Sequence, residues 1–268
     1  MCRTVLVLTL LGIALLSGCA TTIPAPEVTP APGAYAALLE RHVDDEGRVD
    51  YAGLARDRER LDAAYAAVAA RSPDSDPGAF PRREDRLAYW INAYNLAVLV
   101  GVVELQIEAS VLDVRSPFPL GLVAPSGAGF FYFTKFVFGG AAVSLHALEH
   151  DIIRRRFKEP RIHFAINCAS AGCPRLDNRP YRAADLDARL DAATREFVSS
   201  PDQVRIDPAS RVVSVSPILD WFREDFGDVM DFLIAHAEGE KRQRLERARA
   251  EGWTIAFFEY DWSLNARR

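Results

Sequence analysis

Cysteine is scarce in this 268-residue chain, which has four, at positions 2, 19, 168 and 173. A basic balance is lacking too: 32 Lys and Arg stand against 37 Asp and Glu, a formal net charge of −5. A mildly acidic chain without a basic stripe argues against nucleic acid as the main partner. No internal repeat is visible, which excludes a solenoid. Beyond the N-terminal region no segment is expected to be long and apolar enough to span a bilayer. What is present is ordinary for a globular protein, with 49% hydrophobic and 26% charged residues, in a length that is long for one domain but within its range.

The chain starts with one basic side chain, Arg3, then an uncharged apolar run from Val5 to Leu16, then small residues. That run is short for a membrane span and reads as a signal peptide over residues 1–18. Its end, Leu16-Ser17-Gly18-Cys19, resembles the lipobox of bacterial lipoproteins, in which Cys19 becomes the lipidated first residue. Ala20, where an aspartate would favour inner-membrane retention, resembles the outer-membrane sorting pattern. These resemblances imply a protein held to the outer membrane by several acyl chains, because one alone anchors weakly, and facing the periplasm. Removing residues 1–18 deletes only Arg3 from the charged set and moves the net charge from −5 to −6. Ala20–Gly33, with four prolines, reads as an extended tether with no core to join, which leaves 34–268 as the globular domain.

Within that domain, apolar spacing predicts helices over Ala34–Arg41, Arg56–Ala70, Asp85–Glu104, Leu145–Phe157, Leu186–Val198 and Asp228–Ala237. Ser144 is placed to cap the fourth of these. Phe130–Phe138, Ile162–Ile166, Arg211–Ser216 and Trp253–Trp262 read as strands, the first turning at Gly139-Gly140 into a hairpin. Ser216-Pro217 opens a further helical stretch, ILDWFREDF, and a charged polar stretch follows Ala237. The mixture gives an α+β single domain, several helices around a small, mainly antiparallel sheet. In the most apolar helix, Asn92 and Asn95 lie on one face. Buried amides need partners, each costing roughly 1–3 kcal/mol if left without one, so they either bind loop carbonyls or present one amide to a reaction site.

Six separated blocks, VDYAGL (49–54), YWINAYNLAVL (89–99), LEHDIIR (148–154), RIHFAINCASAGCPRL (161–176), ILDWFREDF (218–226) and YDWSLN (260–265), resemble the domain of unknown function 547 family in order and spacing. The resemblance spans the chain from about Val49 onward. It implies a fold and candidate positions, and it implies no reaction.

Three constellations carry candidate chemistry. Cys168 stands at the end of the Ile162–Ile166 run, before small residues that would admit a substrate and offer backbone N–H groups to an oxyanion. Its candidate bases are His150 and His163, with Glu149 or Asp261 to orient an imidazole and Asn167 as a polarising neighbour. On a strand, His163 would face away from Cys168, whereas His150 is freer. The same thiol, five residues from Cys173 in an oxidising compartment, can equally close a small disulfide loop of about 2–3 kcal/mol, or stay free and inert. Second, His146-Ala147-Leu148-Glu149-His150 has the H-x-x-E-H spacing of inverzincins, in which His146 and His150 would share a zinc beside Glu149. No third ligand announces itself, and no metal or cofactor is expected. Third, Asp220-Trp221-Phe222 with Asp225, and Tyr260-Asp261-Trp262, read either as core or as a platform for a glycan. His42 and His236 are expected at the surface. The function these readings favour is a thiol-dependent hydrolase or acyltransferase using Cys168. The alternative is a non-catalytic lipoprotein that binds a cell-wall or envelope ligand, stapled by a Cys168–Cys173 disulfide.

Overall fold

The computed structural model describes residues 20–267 other than 32, 119, 120 and 122, so the expected signal peptide and Cys19 lie outside the described residues. At its centre is α4, Arg83–Glu104, capped at its start by the Asp85 carboxylate, which accepts the Arg82 backbone N–H at 3.1 Å and its guanidinium at 2.7 and 3.0 Å. Its Leu, Val, Ile and Ala side chains are buried on nearly every face from Leu87 to Val102. By length and composition alone this helix is apolar enough to cross a membrane, which the sequence reading did not expect. The fold instead spends that apolarity on the core: α1 (Ala34–His42), α2 (Tyr51–Arg56) and α3 (Arg58–Ala70) pack together and against it.

Two three-stranded sheets flank the helices. The first is ordered β1-β2-β3, with β1 (Thr21–Ile23) parallel to β2 (Thr134–Phe138), and β2 antiparallel to β3 (Ala141–Ser144). The second is ordered β4-β5-β6, with β4 (Val204–Asp207) antiparallel to β5 (Val212–Val215) and β5 parallel to β6 (Thr254–Phe257). The α+β class is as read from sequence. Each sheet, however, is mixed, because in each a long helical crossover returns one strand in the same direction.

β1 also overturns the tether reading. Ile23 is buried, and its carbonyl accepts the Tyr65 hydroxyl at 2.9 Å while that hydroxyl accepts the N–H of Val137 at 2.8 Å. The proline-rich segment therefore begins as part of the domain.

After β3 the chain runs helically through α5 (Leu145–Ala147), a π-helical turn over Leu148–Arg154 and α6 (Arg155–Phe157), with Ser144 as the cap. The expected strand Ile162–Ile166 is instead a 3-10 turn, Pro160–Phe164. Pro160 fixes a helical φ and lacks a ladder donor, and the Glu159 carboxylate takes the Arg161 N–H, so the local chemistry starts a helix. Likewise Gly129–Phe133 forms a π-helical turn, and the strand expected from Phe130 starts only at Thr134.

The remaining helices are α7 (Leu186–Ser199), α8 (Ile218–Trp221), α9 (Arg223–Phe226), α10 (Val229–His236) and α11 (Gly239–Ala250). α11 is the charged stretch in which no helix was read. It buries only Leu245 and Ala248, and i,i+4 pairs between Arg244 and Glu240, Arg242 and Glu246, and Arg247 and Glu251 support it.

Two apolar clusters share the interior, a large one around α4 and a smaller one that joins α7, β4, β5 and α10. Ile162 belongs to the large cluster and Phe164 to the small one, so the 3-10 turn crosses the seam and carries His163 into it. Two amides of α4 fix this crossing. Asn95 donates to the Ala165 carbonyl and accepts the Asn167 N–H, both at 2.9 Å, while Asn92 makes a matching pair with the backbone of Tyr181 at 2.8 Å. Both amides thus hold loop backbone. Asn95→Ala orphans two buried backbone groups and is expected to cost at least about 2 kcal/mol, read as a lower urea midpoint at unchanged m-value.

Candidate active site

The crossing turn and the π-helical turn meet beneath a cleft of about 200 Å³ lined mainly by aromatic side chains. The π-helical turn supplies Glu149 and His150, the 3-10 turn supplies His163, and the following loop supplies Cys168 and Cys173. Tyr94 of α4, Trp221 and Phe222 around α8, and Tyr260 and Trp262 after β6 complete most of the wall. Of the sequence-nominated residues, Cys168, His150, His163 and Glu149 are therefore brought together.

Asn167 is not in that wall. Its buried amide donates to the Pro174 carbonyl and accepts from the Ala169 N–H, both at 2.8 Å. It shapes the loop, in which Ala169 takes a left-handed φ of 65°, and so positions the neighbouring sulfur.

His163 is buried, and its Nε2 lies 2.7 Å from Asp225 Oδ2. Burial keeps its pKa below the ordinary value despite the pull of that carboxylate. Burial opposes ionisation of Asp225, but hydrogen bonds from His163 and Arg154 more than offset it and hold the carboxyl well below the usual range. A carboxylate only accepts, so Nε2 carries the proton of the neutral ring and Nδ1 is left as the base. Nδ1 has no hydrogen-bond partner and sits 3.7 Å from Glu149 Oε1. Phe222 stacks on the imidazole at 4.0 Å and fixes its plane.

Glu149 is the complement of that base. Burial pushes its carboxyl up to about 7, against the pull of Arg154 and a long contact of 3.5 Å from the Tyr94 hydroxyl. It therefore keeps its proton up to about pH 7, and because the His163 pKa is held below its ordinary value, a neutral acid and a neutral base coexist just below that pH.

Arg154 organises the floor by bonding Asp225 at 2.6 Å, Glu224 at 2.7 Å and His150 Nδ1 at 2.6 Å. Burial, with the nearby His146 and Arg154, lowers His150 to about 4. Since a guanidinium only donates, the Nδ1 of His150 is its acceptor and cannot serve as a base.

The zinc reading of His146, Glu149 and His150 meets different geometry. The two imidazoles stack face to face at 4.2 Å, and His146 stacks in turn on Tyr132 at 4.0 Å. Ring-nitrogen lone pairs lie in the ring plane, so parallel stacked rings do not aim them at a common point. Among the described residues no group of three or more His, Cys, Asp or Glu is arranged to hold a metal ion.

Cys168 and Cys173 are joined as a disulfide. The Tyr260 hydroxyl lies 3.3 Å from Cys168 Sγ, 3.1 Å from Cys173 Sγ and 3.0 Å from Ser170 Oγ. The polar contacts described at the sulfurs thus come from hydroxyls and backbone rather than from an imidazole.

Trp221, Tyr260 and Trp262 contact one another at 4.6–5.7 Å between centroids. They form part of the cleft wall, with Trp221 half exposed, rather than lying in the core. Asp220 pairs with Arg223 at 2.8 Å. His42, expected at the surface, is buried with its Nε2 3.1 Å from Asp57, and His236 is half-buried against Phe232.

Residues 79–198 match the family described as Protein of unknown function, DUF547. The DUF547 match covers less than half of the chain and three of the six blocks noted in the sequence. Glu149, His150, His163, Cys168 and Cys173 lie inside it, whereas Asp225, Phe222, Tyr260 and Trp262 lie beyond its end. No curated protein and no solved structure matches the chain.

Sequence reasoning missed Arg154 and Tyr94 and did not pair Asp225 with His163. All three stand inside the blocks quoted above, which was the available signal.

Burial of Glu149 sets a stability prediction. Well below its ordinary value of 4.5 both folded and unfolded chains hold the proton. As pH rises toward 7 the unfolded chain releases it first, so stability falls. Glu149→Gln mimics the neutral acid and is expected to exceed the parent in stability at pH 8 by on the order of 1–3 kcal/mol. The gap should close at pH 4, as measured by urea denaturation at both values.

Proposed function

We infer that the protein is an envelope-anchored lipoprotein whose cleft catalyses hydrolysis or acyl transfer by general acid–base chemistry. The observation that carries this reading is the juxtaposition of the Glu149 carboxyl, whose side chain is only 13% exposed, with the unpartnered Nδ1 of buried His163, 3.7 Å away. His163 Nδ1 takes a proton from an attacking water or alcohol as its oxygen adds to an acyl carbon. Glu149 gives its proton to the departing oxygen or nitrogen as that bond breaks, and the proton gained by His163 then restores Glu149. Asp225 and Arg154 hold the imidazole and are positioning residues. The disulfide fixes the loop that forms one wall. The anchor rests on Leu16-Ser17-Gly18-Cys19 after the apolar run, and it supports attachment to the outer membrane on its periplasmic side, with an envelope ester, amide or glycan-linked acyl group as substrate.

A second reading, a thiol-dependent hydrolase, is favoured by one observation: both sulfurs line the same cleft, in contact with the Ser170 and Tyr260 hydroxyls. It requires reduction of the bridge before Cys168 can attack.

The two readings separate on chromogenic acyl esters. Under acid–base catalysis the oxidised protein is active, and Glu149→Gln and His163→Asn each lower kcat by about 10²–10⁴-fold. Activity then declines above about pH 7, as Glu149 ionises, and again in acid as His163 is protonated. Under the thiol reading, activity appears only after reduction and is lost in Cys168→Ser. Full activity of oxidised Glu149→Gln would contradict the first reading.

A further inference from the structure

Attachment at Cys19 fixes more than location, because the chain enters the fold at once. Cys19 precedes Thr21 by two residues, at most about 7 Å of backbone, and Thr21 lies opposite Thr134 at the start of β2. The Thr134 hydroxyl donates to the Gly129 carbonyl at 2.8 Å. Gly129 lies so close to the backbone of Val114 and Arg115 that a Cβ there would collide with it. The point of attachment and the backbone of Val114, Arg115 and Gly129 are therefore neighbours.

The surface around that point is unlike the rest of the molecule. Among the described residues six large apolar side chains are exposed, and three belong to this region: Phe118 at 71%, Val123 at 84% and Tyr132 at 48%. From Val114 to Leu148 the sequence holds no Asp or Glu at all, although the chain has 37. The same interval carries Arg115, which is exposed, and Lys135, which lies opposite Thr22. Exposed apolar side chains on a stretch that holds no carboxylate and carries two cations suit an anionic lipid surface.

We propose that the face carrying Phe118, Val123 and Tyr132 rests on the bilayer, with Phe118 and Val123 entering the headgroup region. This rests on the anchor inferred above, and the chain outside the described residues ends beside this face. Phe131 and Tyr132 also line the cleft, so the cleft rim sits at the lipid surface and is open to substrates carried in the membrane.

The test uses the full chain, purified from membranes and reconstituted in phosphatidylethanolamine–phosphatidylglycerol vesicles, with and without brominated acyl chains. Val123→Trp adds a fluorophore to the proposed face. Ala209→Trp adds one to the exposed turn between β4 and β5 as a control. Relative to the parent chain, emission from Trp at 123 is expected to be quenched by bromolipid, and emission from Trp at 209 to be unchanged. Vesicle flotation of the parent reports the anchor separately, and failure to float would overturn both the anchor and the face. Flotation with Trp at 123 unquenched would overturn the face alone, whether a second copy or the chain's own N-terminal segment covers it. Equal quenching at both positions would overturn it too.

Discussion

Burying an amide is costly unless both its donor and its acceptor are met, and Asn95 meets that demand with the backbone on either side of Ile166. This one side chain ties the central helix to the turn that carries His163 and to the loop that carries the sulfurs. The loop cannot slip along α4 without breaking both bonds, so the seam between the two apolar clusters is held in register. His163 is trapped there because Ile162 and Phe164 are claimed by opposite clusters. The imidazole inherits its burial from packing on either side, and its perturbed acidity follows from the burial.

Electrostatics at the seam then divides the labour. Arg154 supplies the positive charge that keeps Asp225 ionised, and Asp225 selects the His163 tautomer. The same guanidinium occupies His150, which removes a competing base. Glu149 lies close enough to Arg154 to feel it, but desolvation prevails, so the acid stays neutral while Asp225 does not. Two carboxyls on one network are driven in opposite directions because one bonds two donors and the other is largely desolvated with a single long hydrogen-bond contact. Such divergence is what acid–base chemistry near neutral pH requires.

Much of this was legible in the sequence where local pattern and packing agree. The periodicity of Asp85–Glu104, the hairpin turn at Gly139-Gly140 and the α+β class follow from the spacing of apolar residues and turn chemistry. The failures share a cause. Ile162–Ile166 looks like a buried strand because it is a short apolar run, but its residues face two clusters on opposite sides of a turn begun by Pro160. β1 resembles tether in sequence because three residues carry little pattern, and only the long-range partners Phe136, Val137 and Tyr65 give it a place. Four of the five nominated site residues line the cleft, since the polar groups of two turns converge there. The Asp225–His163 pairing was not legible, because 62 residues separate the partners and nothing local links them.

The most direct measurement is the carboxyl ¹³C shift of Glu149 followed through a pH titration by NMR. A midpoint near 7 is expected, accompanied by a neutral His163 protonated on Nε2 in the same samples. A midpoint near 4.5, with Glu149 ionised across the neutral range, would contradict the assignment of this pair as acid and base.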